Sequence, residues 1–153
     1  MDRAEQKQFR DFAEKCRKAG LKATHQRMEI MRELFGEPGH PDAETIFRRV
    51  RSRMPAISLE TVYRTLRLFE DRGLIGRVGM NPGRTRFDAN TSRHNHFVCT
   101  ECGRICDLDG YTLPVMQQPS EVDGVGWVNS VYIELRGRCH DCQYNAGKPV
   151  PRG

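Results

Sequence analysis

No run of apolar residues in this 153-residue chain approaches the roughly 20 that a membrane-spanning helix requires. The opening stretch, MDRAEQKQFRDF, also lacks the apolar segment of a secretory leader, so neither a leader nor a membrane anchor is expected. The expected compartment is the cytoplasm, where cysteines stay reduced and a Cys-x-x-Cys spacing points to metal rather than to a disulfide. The length admits one ordinary domain or two small ones. Small domains bury too little of their own surface, so a bound metal or a partner chain is expected to help.

Cysteine is nearly missing from the first half, and basic excess is missing from the second. Residues 1–88 carry 19 Lys and Arg against 13 Asp and Glu, whereas residues 89–153 carry 6 against 7. Five of the six cysteines, Cys99, Cys102, Cys106, Cys139 and Cys142, fall in the second half. Electrostatics and metal chemistry are thus divided between two expected modules, 1–88 and 89–153.

The first module reads as four helices and a hairpin. Phe9, Phe12, Ala13 and Cys16 keep helical spacing up to a stop at Gly20, and Met28, Ile30, Met31, Leu34 and Phe35 form a second run ending at Gly36. Asp42 caps a third helix through Ile46, Val50 and Met54, which Pro55 ends. In SLETVYRTLRLFEDRG, Ser58 caps a fourth, Leu59, Val62, Leu66 and Phe69 form its apolar stripe, and Gly73 stops it. Thr61, Arg64, Thr65 and Arg72 are expected on its other face. LIGRVGMNPGRTRFD then alternates about a turn at MNPG, with Arg77, Arg84 and Arg86 near its tip. Helices followed by a basic hairpin predict a winged helix-turn-helix. The expected DNA contacts are Thr61, Tyr63, Arg64 and Thr65 of the fourth helix, with Arg77 and Arg84 of the hairpin. Periodicity identifies a helix but not its use, and arginine on an exposed face also serves as plain solvated surface.

The second module carries two clips, Cys99-x-x-Cys102 and Cys139-x-x-Cys142, with 36 residues between them. Two such pairs supply the four thiolates of a closed tetrahedral zinc site. An electron carrier with one iron on four cysteines uses the same ligands, but the attached basic helical module has no purpose in one. A deaminase-type hydrolytic site needs His-x-Glu and Pro-Cys-x-x-Cys; here His96 follows His94 at that spacing, and neither clip follows a proline. A zinc-bound interaction module without operator affinity stays open. HNHFVC favours a strand, which points His94 and His96 to one face and Asn95, Phe97 and Cys99 to the other. The imidazole pair, with Asp88 and Asp107 as nearby carboxylates, suits Fe(II) or Mn(II). Taken alone, the pair also reads as two solvated histidines on a surface strand.

HPDAETIFRRV, ISLETVYRTLRLFEDRGLI, the closing RFD, HNHFVCTECGRICD and the terminal CHDC together resemble the ferric-uptake-regulator (Fur) superfamily of metal-dependent repressors, over roughly residues 20–142. The resemblance implies an α+β chain: an N-terminal winged helix-turn-helix domain and a C-terminal α/β dimerisation domain with a four-cysteine zinc site. It implies a cytoplasmic homodimer on a palindromic double-stranded DNA operator, not an enzyme. It also implies a regulatory Fe2+ or Mn2+ held by His40, Asp88, His94, His96 and Asp107, and structural Zn2+ held by Cys99, Cys102, Cys139 and Cys142. His25 and His140 match no ligand position and are expected at the surface. Cys16 is expected in the core, while Cys106 is open between a buried and a redox-active role.

The two aspartates Asp88 and Asp107 are similar to the peroxide-stress (PerR) branch, whereas iron-uptake regulators tend to have glutamate at one or both positions. A further metal site of many iron regulators would need ligands where this chain has Arg93, Pro114 and Val131. No cysteine lies near Asp88, as it does in zinc-uptake regulators. The implied activity is a repressor that senses peroxide by iron-catalysed oxidation of His40 or His94; the alternative is an Fe(II)-responsive repressor of iron uptake. Arg64 departs from the small polar residue of some peroxide regulators, so operator choice is expected to differ.

Overall fold

The structure is a computed structural model that describes residues 3–36, 40–79, 85–92, 94–108, 122, 124–127 and 133–144. The expected turn at MNPG, Arg84, Arg93, Pro114 and Val131 lie outside the described residues. The chain divides into two compact units, Met1–Ser92 and Arg93–Gly153. Among the described residues, no helix is long and apolar enough to cross a membrane.

The first unit contains α1 (Arg3–Lys18), α2 (His25–Phe35), α3 (Ala43–Arg53) and α4 (Leu59–Asp71), then β1 (Gly76–Val78) and β2 (Arg86–Asp88). Local chemistry sets the helix ends. The Asp42 carboxylate accepts from the Thr45 N–H at 2.8 Å, and the Ser58 hydroxyl accepts from the Thr61 N–H at 3.1 Å. Gly73 closes α4 at φ +65, and the Leu74 N–H donates to the Phe69 carbonyl at 2.8 Å, a 6→1 closure that a residue with a Cβ disfavours. Between α3 and α4 the chain turns through Met54–Ile57, which makes a helix-turn-helix; β1 and β2 pair antiparallel as its wing, with Arg77 opposite Phe87.

The core of this unit comes from all four helices. Phe12 and Cys16 of α1, Ile30 and Met31 of α2, Ile46 and Val50 of α3, and Val62, Leu66 and Phe69 of α4 are fully buried or nearly so. The Phe12 ring meets Phe69 edge-on at 5.2 Å between centroids. The wing is seated on the same body. Phe87 is buried, its N–H donates to the Pro41 carbonyl at 3.2 Å, and Asp42 bridges to Arg86. This pairing lays the end of β2 beside the segment that enters α3.

The second unit is a three-stranded sheet, order β4-β3-β5, of β3 (Asn95–Cys99), β4 (Ile105–Leu108) and β5 (Glu134–Gly137), followed by α5 (His140–Tyr144). β4 pairs antiparallel to β3 through a tight turn, whereas β5 pairs parallel to it, so its register depends on contacts distant in sequence. A Cβ at Gly137 would lie 3.2 Å from the Phe97 ring. Glycine there lets the end of β5 close on β3, where the Thr100 N–H donates to the Gly137 carbonyl at 2.8 Å.

One charged group organises the α2–α3 contact. Glu29 and Glu33 are buried on α2, and Arg53 in the last turn of α3 reaches both. Its Nε donates to Glu29 at 2.6 Å and its terminal nitrogen to Glu33; these two bonds, Glu33 first, raise its pKa above the usual guanidinium value. Arg53→Ala leaves two buried carboxylates without their shared cation. Because the guanidinium side chain is 38% exposed, the expected loss is about 2 kcal/mol rather than the roughly 3–5 kcal/mol of a fully buried pair. Urea unfolding of the variant checks this, and an unchanged midpoint would refute it.

Candidate metal centres and reading face

Cys99 ends β3 and Cys102 lies in the turn that follows; Cys139 and Cys142 flank the start of α5. One strand end and one helix start thus present two clips to each other. The four Sγ atoms all lie within 4.8 Å of one another, and Cys102 and Cys139 are 3.8 Å apart. Four thiolates at about 2.3 Å from a tetrahedral zinc sit about 3.8 Å from each other, so the thiols fit that ion. None of the six cysteines is in a disulfide. Burial pushes the Cys99 thiol up, but N–H groups of Cys102, Cys139 and Glu101 aimed at its sulfur bring it down to about 6. Cys142 is pushed up to about 12 by burial and by hydrogen bonds to the neighbouring thiols. One thiolate is thereby ready-made, and the others are stabilised by the cation they bind.

The opposite side of β3 carries a different donor set. His94 precedes the strand, His96 lies on it, and Asp107 stands across from His96 on β4. Nε2 of His96 is 3.4 Å and Nε2 of His94 is 3.7 Å from the same carboxylate oxygen of Asp107, with the rings 4.4 Å apart. Such spacings match ligands sharing one ion more closely than direct hydrogen bonds.

In the first unit His40 and Asp88 face each other, both buried, with Nε2 3.6 Å from a carboxylate oxygen. The strand β2 delivers Asp88, and the Pro41–Asp42 pairing holds His40 next to it. The other Asp88 oxygen accepts from the Asn90 N–H at 2.7 Å. His40 has φ +57, a backbone conformation that residues with a Cβ adopt at a cost and that clusters at functional sites.

The reading face of α4 differs from expectation at one position. Arg64 is exposed, and Thr61 is half-buried at the capping turn. Thr65, expected to face outward, is only 7% exposed: Val62, Thr65, Leu66 and Phe69 follow an i, i+3, i+4, i+7 pattern, so it lies within the buried stripe. The outward assignment of Thr65 is therefore corrected. Tyr63 is 45% exposed, and its hydroxyl donates to Glu44 of α3 at 2.6 Å, a bond that raises the phenol's pKa. Arg77 pairs with Glu70, and Arg72 donates to the Ala19 carbonyl, tying α4 to the end of α1. The parts played by Glu44 and Arg72 had no signal in the sequence, since each depends on a contact between elements.

His25 and His140 are exposed, as expected. Cys16 is buried in the core, where desolvation raises its thiol pKa. Cys106, left open between two roles, is exposed on β4.

The structure thus joins a winged helix to a unit with one four-thiol and one imidazole–carboxylate donor set. Residues 18–127 match the Ferric uptake regulator family, and the chain belongs to it. It is 35% identical over 127 residues to the peroxide-responsive repressor PerR of Staphylococcus epidermidis, covering 83% of this chain and 85% of that protein. It is also similar to the ferric uptake regulator of Vibrio cholerae (28% identity, 83% of this chain and 98% of that chain, TM-score 0.61). PerR of Streptococcus pyogenes is a further structural neighbour (28% identity, 88% and 92% covered, TM-score 0.50). The family and these relatives are named as regulators and repressors. The cofactors that fit are structural zinc at the thiols and a regulatory iron or manganese at imidazoles and carboxylates.

In zinc-free, reduced protein, ultraviolet thiolate absorbance should rise in a first step near pH 6 that Cys99→Ser removes. A first step only in the ordinary thiol range would contradict the assignment.

Proposed function

We propose that the chain is a homodimeric repressor of double-stranded DNA that senses peroxide through iron-catalysed oxidation of its ligand histidines. The observation that carries this reading is the donor chemistry: the regulatory set is His40, Asp88, His94, His96 and Asp107, imidazoles and aspartates without a thiol or a glutamate. Such a set suits Fe(II) and Mn(II). The 35% identity to a peroxide-responsive repressor supports the same branch.

His40 and Asp88 belong to the DNA-binding unit, and His94, His96 and Asp107 to the sheet unit. Holding all five on one ion restricts the angle between the units, and the dimer with its two α4 helices at half-site spacing is then selected. Tyr63 and Arg64 are the contacts to bases and backbone, and Arg77 of the wing, together with Arg84, meets phosphates on a palindromic operator. Affinity then falls steeply with salt. Fe(II) held by these residues would supply the redox activation of peroxide. The O–O bond of the peroxide would break, one oxygen passing to a ring carbon of His40 or His94 and the other leaving as water, and the oxidised ring would cease to be a ligand. The two units lose their shared constraint and the operator is vacated.

Peptide mapping by mass spectrometry, after brief peroxide exposure of the Fe(II)-loaded and Mn(II)-loaded dimer, tests this. Oxygen should appear on the His40 or His94 peptide with iron only. Unmodified histidines with DNA binding still dependent on Fe(II) would replace the reading with an iron-responsive repressor of iron uptake. In a second measurement, Asp107→Glu should blunt peroxide sensitivity while preserving metal-dependent DNA binding; equal sensitivity in the variant would count against the peroxide branch.

A further inference from the structure

Around the four thiols, but not among them, lie two ion pairs of the same design. The first clip reads Cys-Thr-Glu-Cys and the second Cys-His-Asp-Cys, so each has an acid at its third position, Glu101 and Asp141. Arg138, the residue before the second clip, donates to Glu101 of the first at 3.0 Å. Arg104, two residues after the first clip, donates to Asp141 of the second at 2.6 Å. The acid inside each clip is therefore held by an arginine that flanks the other.

All four side chains are 50–63% exposed, so neither pair belongs to a core and each alone contributes little to folding. Their position gives them another use. A zinc ion with four thiolates carries two net negative charges, and the two acids add two more. The guanidiniums of Arg104 and Arg138 offset part of that excess while bridging the halves that produce it. Besides the β3–β5 ladder, the clips are joined by the Cys139 N–H on the Cys99 sulfur at 3.3 Å and by the Thr100 N–H on the Gly137 carbonyl.

We propose that Arg104–Asp141 and Arg138–Glu101 act as crossed electrostatic straps that keep the two cysteine clips registered and so slow the loss of zinc. Zinc leaves a four-thiolate site one thiolate at a time. A detached thiolate held near the ion rebinds at high effective concentration, whereas one on a drifting clip is protonated or captured by a competitor. The straps are positioning devices: they touch no metal, and they act by confining the thiolates that do. This rests on zinc being held by Cys99, Cys102, Cys139 and Cys142.

The experiment is zinc transfer from the full-length, zinc-loaded dimer to a chromophoric chelator, at low and high salt. Arg104→Ala and Arg138→Ala should each release zinc about threefold faster than the parent, and the double variant about tenfold faster. The charge-reversed pair Arg104→Asp with Asp141→Arg should recover most of the slow release, which a purely packing role of the arginine stems would not allow. Salt should accelerate release from the parent and leave the double variant nearly unaffected. Unchanged release in both single variants and in the double, from protein holding one zinc per chain, would overturn the straps while leaving the thiol site intact. Faster release that charge reversal does not recover would overturn them too. A parent chain that binds no zinc would instead overturn the four-thiol assignment, and the straps with it.

Discussion

Much of the second unit depends on β3 being paired on both sides. A strand with neighbours on each edge has its register fixed twice, once by the antiparallel ladder to β4 and once by the parallel ladder to β5. The first ladder puts Asp107 across from His96, and the second puts the end of β5 against Cys99 and so brings the Cys139 clip to the Cys99 clip. Because side chains alternate along a strand, one five-residue element separates the donor sets: imidazoles on one side, the terminal thiol on the other. A slip of one residue would exchange the faces and dismantle both.

The first unit solves a related problem with helices. The buried stripe of α4 faces α1, α2 and α3, which leaves Tyr63 and Arg64 outside and draws Thr65 in. Arg53 joins α3 to α2 through two buried carboxylates, so the helix-turn-helix is anchored by charge as well as by apolar packing. The wing also positions a donor pair. Its strand β2 pairs with the Pro41–Asp42 segment and thereby brings Asp88 to His40, a residue held in a costly backbone conformation. One strand thus pairs in the wing and carries Asp88 to His40.

The family supplies a common frame of winged helix and metal-binding sheet, and it contains regulators that respond to different signals. Asp88 and Asp107 each carry their carboxylate on an arm one methylene shorter than a glutamate's, at the same charge. Arg64 stands exposed on α4, outside the buried stripe that holds the helix.

Much of this was legible in the amino-acid order because local rules carry it. Helix ends follow from short-range hydrogen bonds at Asp42, Ser58 and Gly73, and the thiol clips follow from the reach of two cysteines three positions apart. Alternation alone separates His94 and His96 from Cys99. Other features required the folded chain. Thr65 lies at the edge of a helical stripe, where spacing admits either face and only packing against the other helices decides. The Tyr63–Glu44 bond, the two-carboxylate grip of Arg53, and the crossed pairs of Arg104 and Arg138 join residues 19 to 37 positions apart. Sequence determines which side chains are available and which local elements they form. Tertiary structure decides which of them meet, because distances across elements are set by packing and register, to which no local spacing rule applies.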